Sequence, residues 1–240
     1  MTDKPLAGRR SVVTGGTRGI GRAIAIRLRD DGADVLATGT KSDGKAPEGC
    51  DYAAVDFGDL DATEAFAARL GEHAPHILIN NAGVSEPQAF GEIGTDDFAL
   101  VHQVNLTAPM ILCRAVLPGM RAAGWGRIVN ISSVWGAISK TGRATYSATK
   151  SGLNGLTAGL AAEVAADGIL ANCVSPGGVD TELLRSVYTE EQFAKLGRSV
   201  PIGRLAQPEE IAAFVAWMAG PENTYISGQA ILIDGGFSMV

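Results

Sequence analysis

Short β-branched runs alternate with helix-length amphipathic stretches along nearly the whole chain, and this alternation restricts the fold more than any other feature. Ser11-Val12-Val13-Thr14 reads as a strand running straight into Gly15-Gly16-Thr17-Arg18-Gly19-Ile20-Gly21. A helix follows, with Ile20, Ile24 and Leu28 on one face and Gly32 just past its end. Further strands are expected at Ala33–Thr38, Tyr52–Asp56, Ile77–Asn80, Arg127–Ile131, Ile169–Val174 and Ala230–Asp234. Helical patterns cover Leu60–Leu70, Asp96–Ala122, the stretch from Tyr146 to Val164, and Glu209–Ala219 after Pro208. Pro109 or Pro118 should bend or end the long one. Strands apolar on both faces and separated by helices imply an α/β fold, a parallel sheet covered on both sides. With no internal repeat, low-complexity tract or linker, residues 1–240 read as one domain. Glu182 to Val200 is the least ordered stretch, polar and flanked by prolines. It reads equally as a lid beside a cleft or as a surface connection.

Composition removes several classes of function. A formal charge of −6 argues against nucleic acid or an acidic protein as the main partner. Cys50, Cys113 and Cys173 are odd in number and widely spaced, so neither a disulfide framework nor a zinc site is expected. His73 and His76 lack a third ligand and His102 stands alone, so no metal is expected and all three read as structural or surface histidines. No uninterrupted apolar run reaches the roughly 18 residues of a bilayer span. Met1-Thr2-Asp3-Lys4-Pro5 has no apolar signal region. Together these point to a cytoplasmic setting without a membrane.

The first strand, its glycine turn and the following helix start form an anion site, where free N–H groups and the helix dipole favour phosphate. By itself the spacing Gly15-x-x-x-Gly19-x-Gly21 serves equally as a tight strand-to-helix turn. Its place as the first βα unit favours a dinucleotide. About 20 positions on, at the end of the second strand, a carboxylate would hold the ribose hydroxyls of NAD. This chain has Gly39-Thr40-Lys41 there, followed by Ser42, and Arg18 inside the turn. Cations with a hydroxyl suit a 2′-phosphate, so NADP(H) is the expected cofactor, with NAD(H) possible. Tyr146 and Lys150, four apart, share a helix face. An ammonium beside a phenol favours the phenolate, lowering a pKa that starts near ~10 and making tyrosine a usable acid/base.

Thr14-Gly15-x-x-x-Gly19-x-Gly21, Asn80-Asn81-Ala82-Gly83, Asn105, Ser133, Tyr146 and Lys150 occur in this order, with Pro176-Gly177 and Asp234-Gly235-Gly236 beyond. In this the chain resembles the short-chain dehydrogenases/reductases over nearly its whole length. The resemblance implies a Rossmann-type doubly wound sheet of about seven strands, and a homotetramer built through the long helices and the last strand. It implies that Tyr146 is the general acid/base, that Lys150 lowers its pKa and holds the nicotinamide ribose, and that Ser133 binds the substrate oxygen in preference to Ser132. Asn105 would hold a water linking Lys150 to solvent. Asn81, Ala82 and Gly83 would line the adenine-ribose side, with Asp56 and Phe57 near the adenine. Pro176, Gly177, Val179 and Thr181 would lie at the nicotinamide.

Gly126-Arg127-Ile128-Val129-Asn130-Ile131-Ser132-Ser133 is most similar to the 3-oxoacyl-(acyl carrier protein) reductases within that family. Those members grip an acidic carrier with basic residues before the fifth strand and after the Tyr–Lys helix, where this chain has Gly124 and Asp167. A free small or medium ketone or secondary alcohol is therefore the expected substrate, ahead of acyl carrier protein. A third reading is a cofactor-sensing protein without catalysis, which would have no need of the acid/base set. Pocket candidates are Val134, Trp135, Arg143, Gly178, Leu183 and Tyr188. Core packing serves Trp135 as well, and solvent is the commoner place for an arginine such as Arg143, which would anchor a carboxylate if it pointed inward.

Overall fold

The computed structural model describes residues 4–187 and 189–239, without the side chains of Leu183 and Val187. Seven strands form one fully parallel sheet in the order β3-β2-β1-β4-β5-β6-β7. They are β1 (Arg10–Val13), β2 (Asp34–Gly39), β3 (Asp51–Ala54), β4 (Ile77–Asn80), β5 (Gly126–Ile131), β6 (Ile169–Pro176) and β7 (Ala230–Ile233). The helices are α1 (Gly19–Asp30), α2 (Leu60–His73), α3 (Thr95–His102), α4 (Ala108–Ala123), α5 (Ala144–Val164), α6 (Glu182–Val187), α7 (Glu190–Arg198) and α8 (Pro208–Met218). Strand register explains why the central runs lack polar alternation. Val13 pairs with Ile79, and Ile79 with Val129, on the face covered by α1 and α8. Val12, Leu78 and Ile128 align on the opposite face, under α2, α4 and α5. The sheet is therefore doubly wound, and these aligned central positions are apolar because both faces are covered.

Strand order reverses between β1 and β4, which opens a crevice at their carboxyl ends, the usual ligand position in such sheets. Three local differences from the sequence expectations bear on the site. The long helical stretch is interrupted at Gln103–Thr107 by a π turn, between α3 and α4. Pro109 follows directly on the π turn, in the first turn of α4, and Pro118 lies inside α4. The polar segment after Thr181 is ordered as α6 and α7, since Thr189 and Gln192 form a capping box that closes the α7 start. By length and composition the Thr95–Ala123 rod reaches the measure of a membrane span, but half of its most apolar window is buried, as in a core helix.

Candidate active site

The glycine turn owes its shape to positions where no side chain fits. Gly15 (φ 63°) and Gly19 (φ 52°) adopt left-handed backbone. A Cβ on Gly21 would run into Gly15 O and Asn81 Nδ2. At the start of α1, Arg18 offers no side-chain cap, and no acidic residue occupies the first turn. By contrast, α2 is capped by Asp59 and α7 by Thr189. The first amides of α1 are thus left for an exogenous anion, and the residues present fit a dinucleotide pyrophosphate. Thr17 Cγ2 lies 3.0 Å from where a Gly39 Cβ would stand, so the turn abuts the end of β2. Arg18, Thr40 and Lys41 are exposed there, and among the described residues neither cation forms an ion pair. Ile20 packs against the core. Exposed Asp56 accepts from Gly58 N (2.9 Å), whereas the ring of Phe57 turns inward, edge-on to Phe66 at 6.0 Å.

Across the crevice, the chain after β4 is tied to the glycine turn by Thr14. Its Oγ1 accepts from Asn81 N and Ala82 N, both at 2.9 Å, while Asn81 Nδ2 donates to Thr14 O (2.9 Å) and Gly15 O (3.2 Å). Gly83 follows, with its missing Cβ 3.3 Å from Asn105 Oδ1 and 3.7 Å from Lys150 Nζ. Asn105 lies in the π turn and is fully buried. Its side chain is spent on protein: Oδ1 accepts from Val84 N, and Nδ2 donates to Val84 O and Thr149 Oγ1. The amide group therefore pins the β4 loop to α5. π turns recur at functional positions, where the extra residue re-aims a side chain.

Lys150, 4% exposed, donates from Nζ to Ile131 O at 2.8 Å, which fixes α5 to the end of β5. Nζ stands 5.5 Å from the Tyr146 ring centroid. Burial pushes the Lys150 pKa down from 10.5 to about 8. Burial also raises the Tyr146 phenol above its usual 10, against the smaller lowering effects of the Ser133 hydroxyl and the Arg143 charge. Lys150 is not among these lowering effects, and desolvation of the half-buried phenol outweighs them. Ser133, two residues past β5, has extended backbone (φ −164°), and its Oγ accepts from Trp135 N at 3.2 Å. Ser132 turns away and donates to Lys150 O. Ser133, Tyr146 and Lys150 thus lie together beside the crevice, joined there by Asn105 from an earlier part of the chain.

The walls come from four segments. Val134 is buried, and Trp135 meets Phe237 edge-on at 5.9 Å with Lys140 Nζ 5.0 Å from its ring centroid. Arg143, at the start of α5, donates from Nη1 to Ser85 Oγ at 2.9 Å, reaching across to the β4 loop. Pro176 closes β6, Gly177 N bonds Ile233 O, and a Cβ on Gly178 would press on Leu205. Val179 is buried, and Thr181 Cγ2 stands 3.4 Å from the would-be Gly19 Cβ, so this segment reaches the glycine turn. Tyr188 and the Leu183 side chain lie outside the described residues. Sequence reading missed Thr14 as a clamp, and it missed Ser85 and Phe237; polar or aromatic residues in loops leave no periodic signal. Among the described residues no group of three potential metal ligands occurs. His76 accepts from Arg10 N and sits beside Trp125.

A phosphate-binding turn at the switch point, with a buried lysine and a protonated phenol beside it, defines a dinucleotide-linked oxidoreductase. A family model described as enoyl-(acyl carrier protein) reductase matches residues 15–238. A solved short chain dehydrogenase/reductase family protein superposes with TM-score 0.91 at 33% identity, covering 98% of this chain and all of the other. The chain belongs to the short-chain dehydrogenase/reductase family and is an NAD(P)-dependent enzyme acting on CH–OH groups. Among curated relatives, the Pseudomonas aeruginosa 3-oxoacyl-[acyl-carrier-protein] reductase FabG is 39% identical over 98% of this chain and 99% of its own length. The Cupriavidus necator acetoacetyl-CoA reductase is 36% identical over 95% and 97%. A gluconate 5-dehydrogenase candidate from Beutenbergia cavernae, solved with bound NADP, has a TM-score of 0.90 at 33% identity, covering 99% of this chain and all of the other.

Proposed function

We propose that the protein is an NADP(H)-preferring reductase of a free small or medium ketone, with Tyr146 as the proton donor. The observation that carries this reading is geometric: the buried Lys150 Nζ, anchored on Ile131 O at 2.8 Å, stands 5.5 Å from the Tyr146 ring centroid. A phenol that holds its proton past neutral pH is an acid at rest, which suits reduction of a carbonyl. Nicotinamide, when bound, supplies the hydride. The residues of the chain do the rest. The glycine turn and the α1 amides hold the pyrophosphate, and Lys150, anchored on Ile131 O, orients the nicotinamide ribose. Ser133 Oγ hydrogen-bonds the substrate oxygen while Tyr146 gives that oxygen its proton. The phenolate left behind is stabilised by the Lys150 ammonium and the Arg143 guanidinium.

Arg18, Thr40 and Lys41, with neither cation in an ion pair among the described residues and no carboxylate at Gly39-Thr40-Lys41 itself, support the phosphate-bearing cofactor over NAD(H). For the substrate, Arg121 near the C-terminus of α4 is held by Asp167 at 2.8 Å, which cancels the cation nearest the place where relatives would meet an acidic carrier. The 3-oxoacyl-carrier reading is the second one, favoured by relatives of that name at 36–39% identity. Turnover of a carrier-linked 3-oxoacyl substrate against its small thioester analogue and a panel of free ketones, each with NADPH and NADH, separates the readings. Faster turnover of free ketone with NADPH is expected; a strong carrier preference selects the second reading, and equal use of NADH removes the cofactor assignment. The assembly is read as a homotetramer. Exposed Phe98 and Leu100 on α3 and the free edge of β7 support it, and light scattering on the eluted protein tests it.

A further inference from the structure

We propose that Arg143 selects substrates that carry a carboxylate, by binding that anion at the mouth of the Ser133–Tyr146 site. This rests on the carbonyl-reductase reading and names its substrate class. Arg143 stands three residues before Tyr146 at the start of α5, and its side chain is half-buried instead of extended into solvent. One N–H of the guanidinium is fixed by Ser85 Oγ at 2.9 Å, which turns the group over the gap between α5 and the β4 loop. Four N–H donors remain, enough for a bidentate carboxylate. Among the described residues Arg143 has no carboxylate within 4.0 Å, as is true of several other arginines, Arg18 at the glycine turn included, so its guanidinium is free to take an anion.

The surroundings add to this. Lys140, over the Trp135 ring, also lacks an ion-pair partner among the described residues. No acidic residue occupies the first turn of α5. Arg143 and Lys140 thus bring two cations to the mouth, with exposed Glu86 next to Ser85 on the β4 loop, on a chain whose net charge is −6. The Arg143 charge already reaches the Tyr146 phenol and pulls its pKa down. A purely apolar ketone offers the guanidinium nothing in return for the water it displaces.

The test compares 3-, 4- and 5-oxo straight-chain acids with their methyl esters, which carry the same ketone without the charge. Initial rates with NADPH are measured for the wild-type enzyme, Arg143→Gln and Arg143→Lys. The acid is expected to exceed its ester in kcat/KM by roughly ten- to a hundredfold, the worth of a charge-assisted hydrogen bond, expressed mainly in KM. Arg143→Gln should collapse that ratio, and Arg143→Lys should restore part of it, since charge returns without the planar fork. Esters reduced as well as acids by the wild-type enzyme, or a ratio untouched in Arg143→Gln, overturns the assignment of Arg143 while leaving the reductase reading standing. If neither acids nor esters are reduced, the reductase reading falls and this inference falls with it.

Discussion

Replacing Lys150 by Met tests the electrostatics of the site without any substrate. The substitution keeps side-chain length and removes the charge together with the bond to Ile131 O. In the folded protein the ammonium titrates near about 8 instead of 10.5. At about 1.4 kcal/mol per pKa unit, folding with the charge in place costs about 3 kcal/mol relative to the neutral amine. The sign follows from proton counting. Between the two values the unfolded chain still holds a proton that the folded one has released, so stability rises with pH through that window. From about pH 7 to about pH 9.5 the wild-type protein should gain about 2 kcal/mol relative to Lys150→Met. Urea unfolding of the nucleotide-free proteins at fixed ionic strength reads this as a growing gap between the two curves. The lost Ile131 bond adds a constant offset; Tyr146 is raised by burial in both proteins, and Cys173, pushed up to about 11 even with the Lys150 charge pulling it down, keeps its thiol protonated across this range in both. Curves that stay parallel across this range would refute a desolvated ammonium at Lys150.

Three further outcomes are expected. Tyr146→Phe should bind NADPH as tightly as wild type by fluorescence titration yet lose roughly a hundredfold or more in kcat; undiminished turnover would remove the proton donor. Gly21→Ala should be destabilised by roughly 1–3 kcal/mol and should bind dinucleotide far more weakly, because its methyl meets Gly15 O and displaces Asn81; a normal melting temperature with normal binding contradicts that geometry. Thr14→Val leaves Asn81 N and Ala82 N without their acceptor and should cost roughly 1–3 kcal/mol in urea, with no loss expected if water replaces the hydroxyl.

Legibility in the sequence followed the range of the forces involved. The strand starting at Ser11, the glycine turn and α1 were readable because turn shape and periodicity are set within a few residues. The neighbouring of Tyr146 and Lys150 was readable for the same reason, since one helical turn guarantees it. The end of β3 and the interruption at Gln103–Thr107 were not. The first depends on pairing with β2, and the second is held by the bonds of Asn105 to Val84 and Thr149. The helices after Thr181 were hidden because their composition is polar, and their order comes from the Thr189 cap and the Asp180–Arg185 pair.

Local chemistry written in the chain determined the kind of protein: a doubly wound sheet, a phosphate-binding turn, and a phenol and an amine on one helix face. Tertiary structure alone decided how those groups behave. Only packing buries Lys150 and half-buries Tyr146, and that desolvation pulls the amine down and pushes the phenol up. Only the fold brings Ser85 under Arg143, Phe237 against Trp135 and Thr14 beneath Asn81. Pattern and spacing act along the backbone, whereas desolvation and contact depend on what the rest of the chain places nearby.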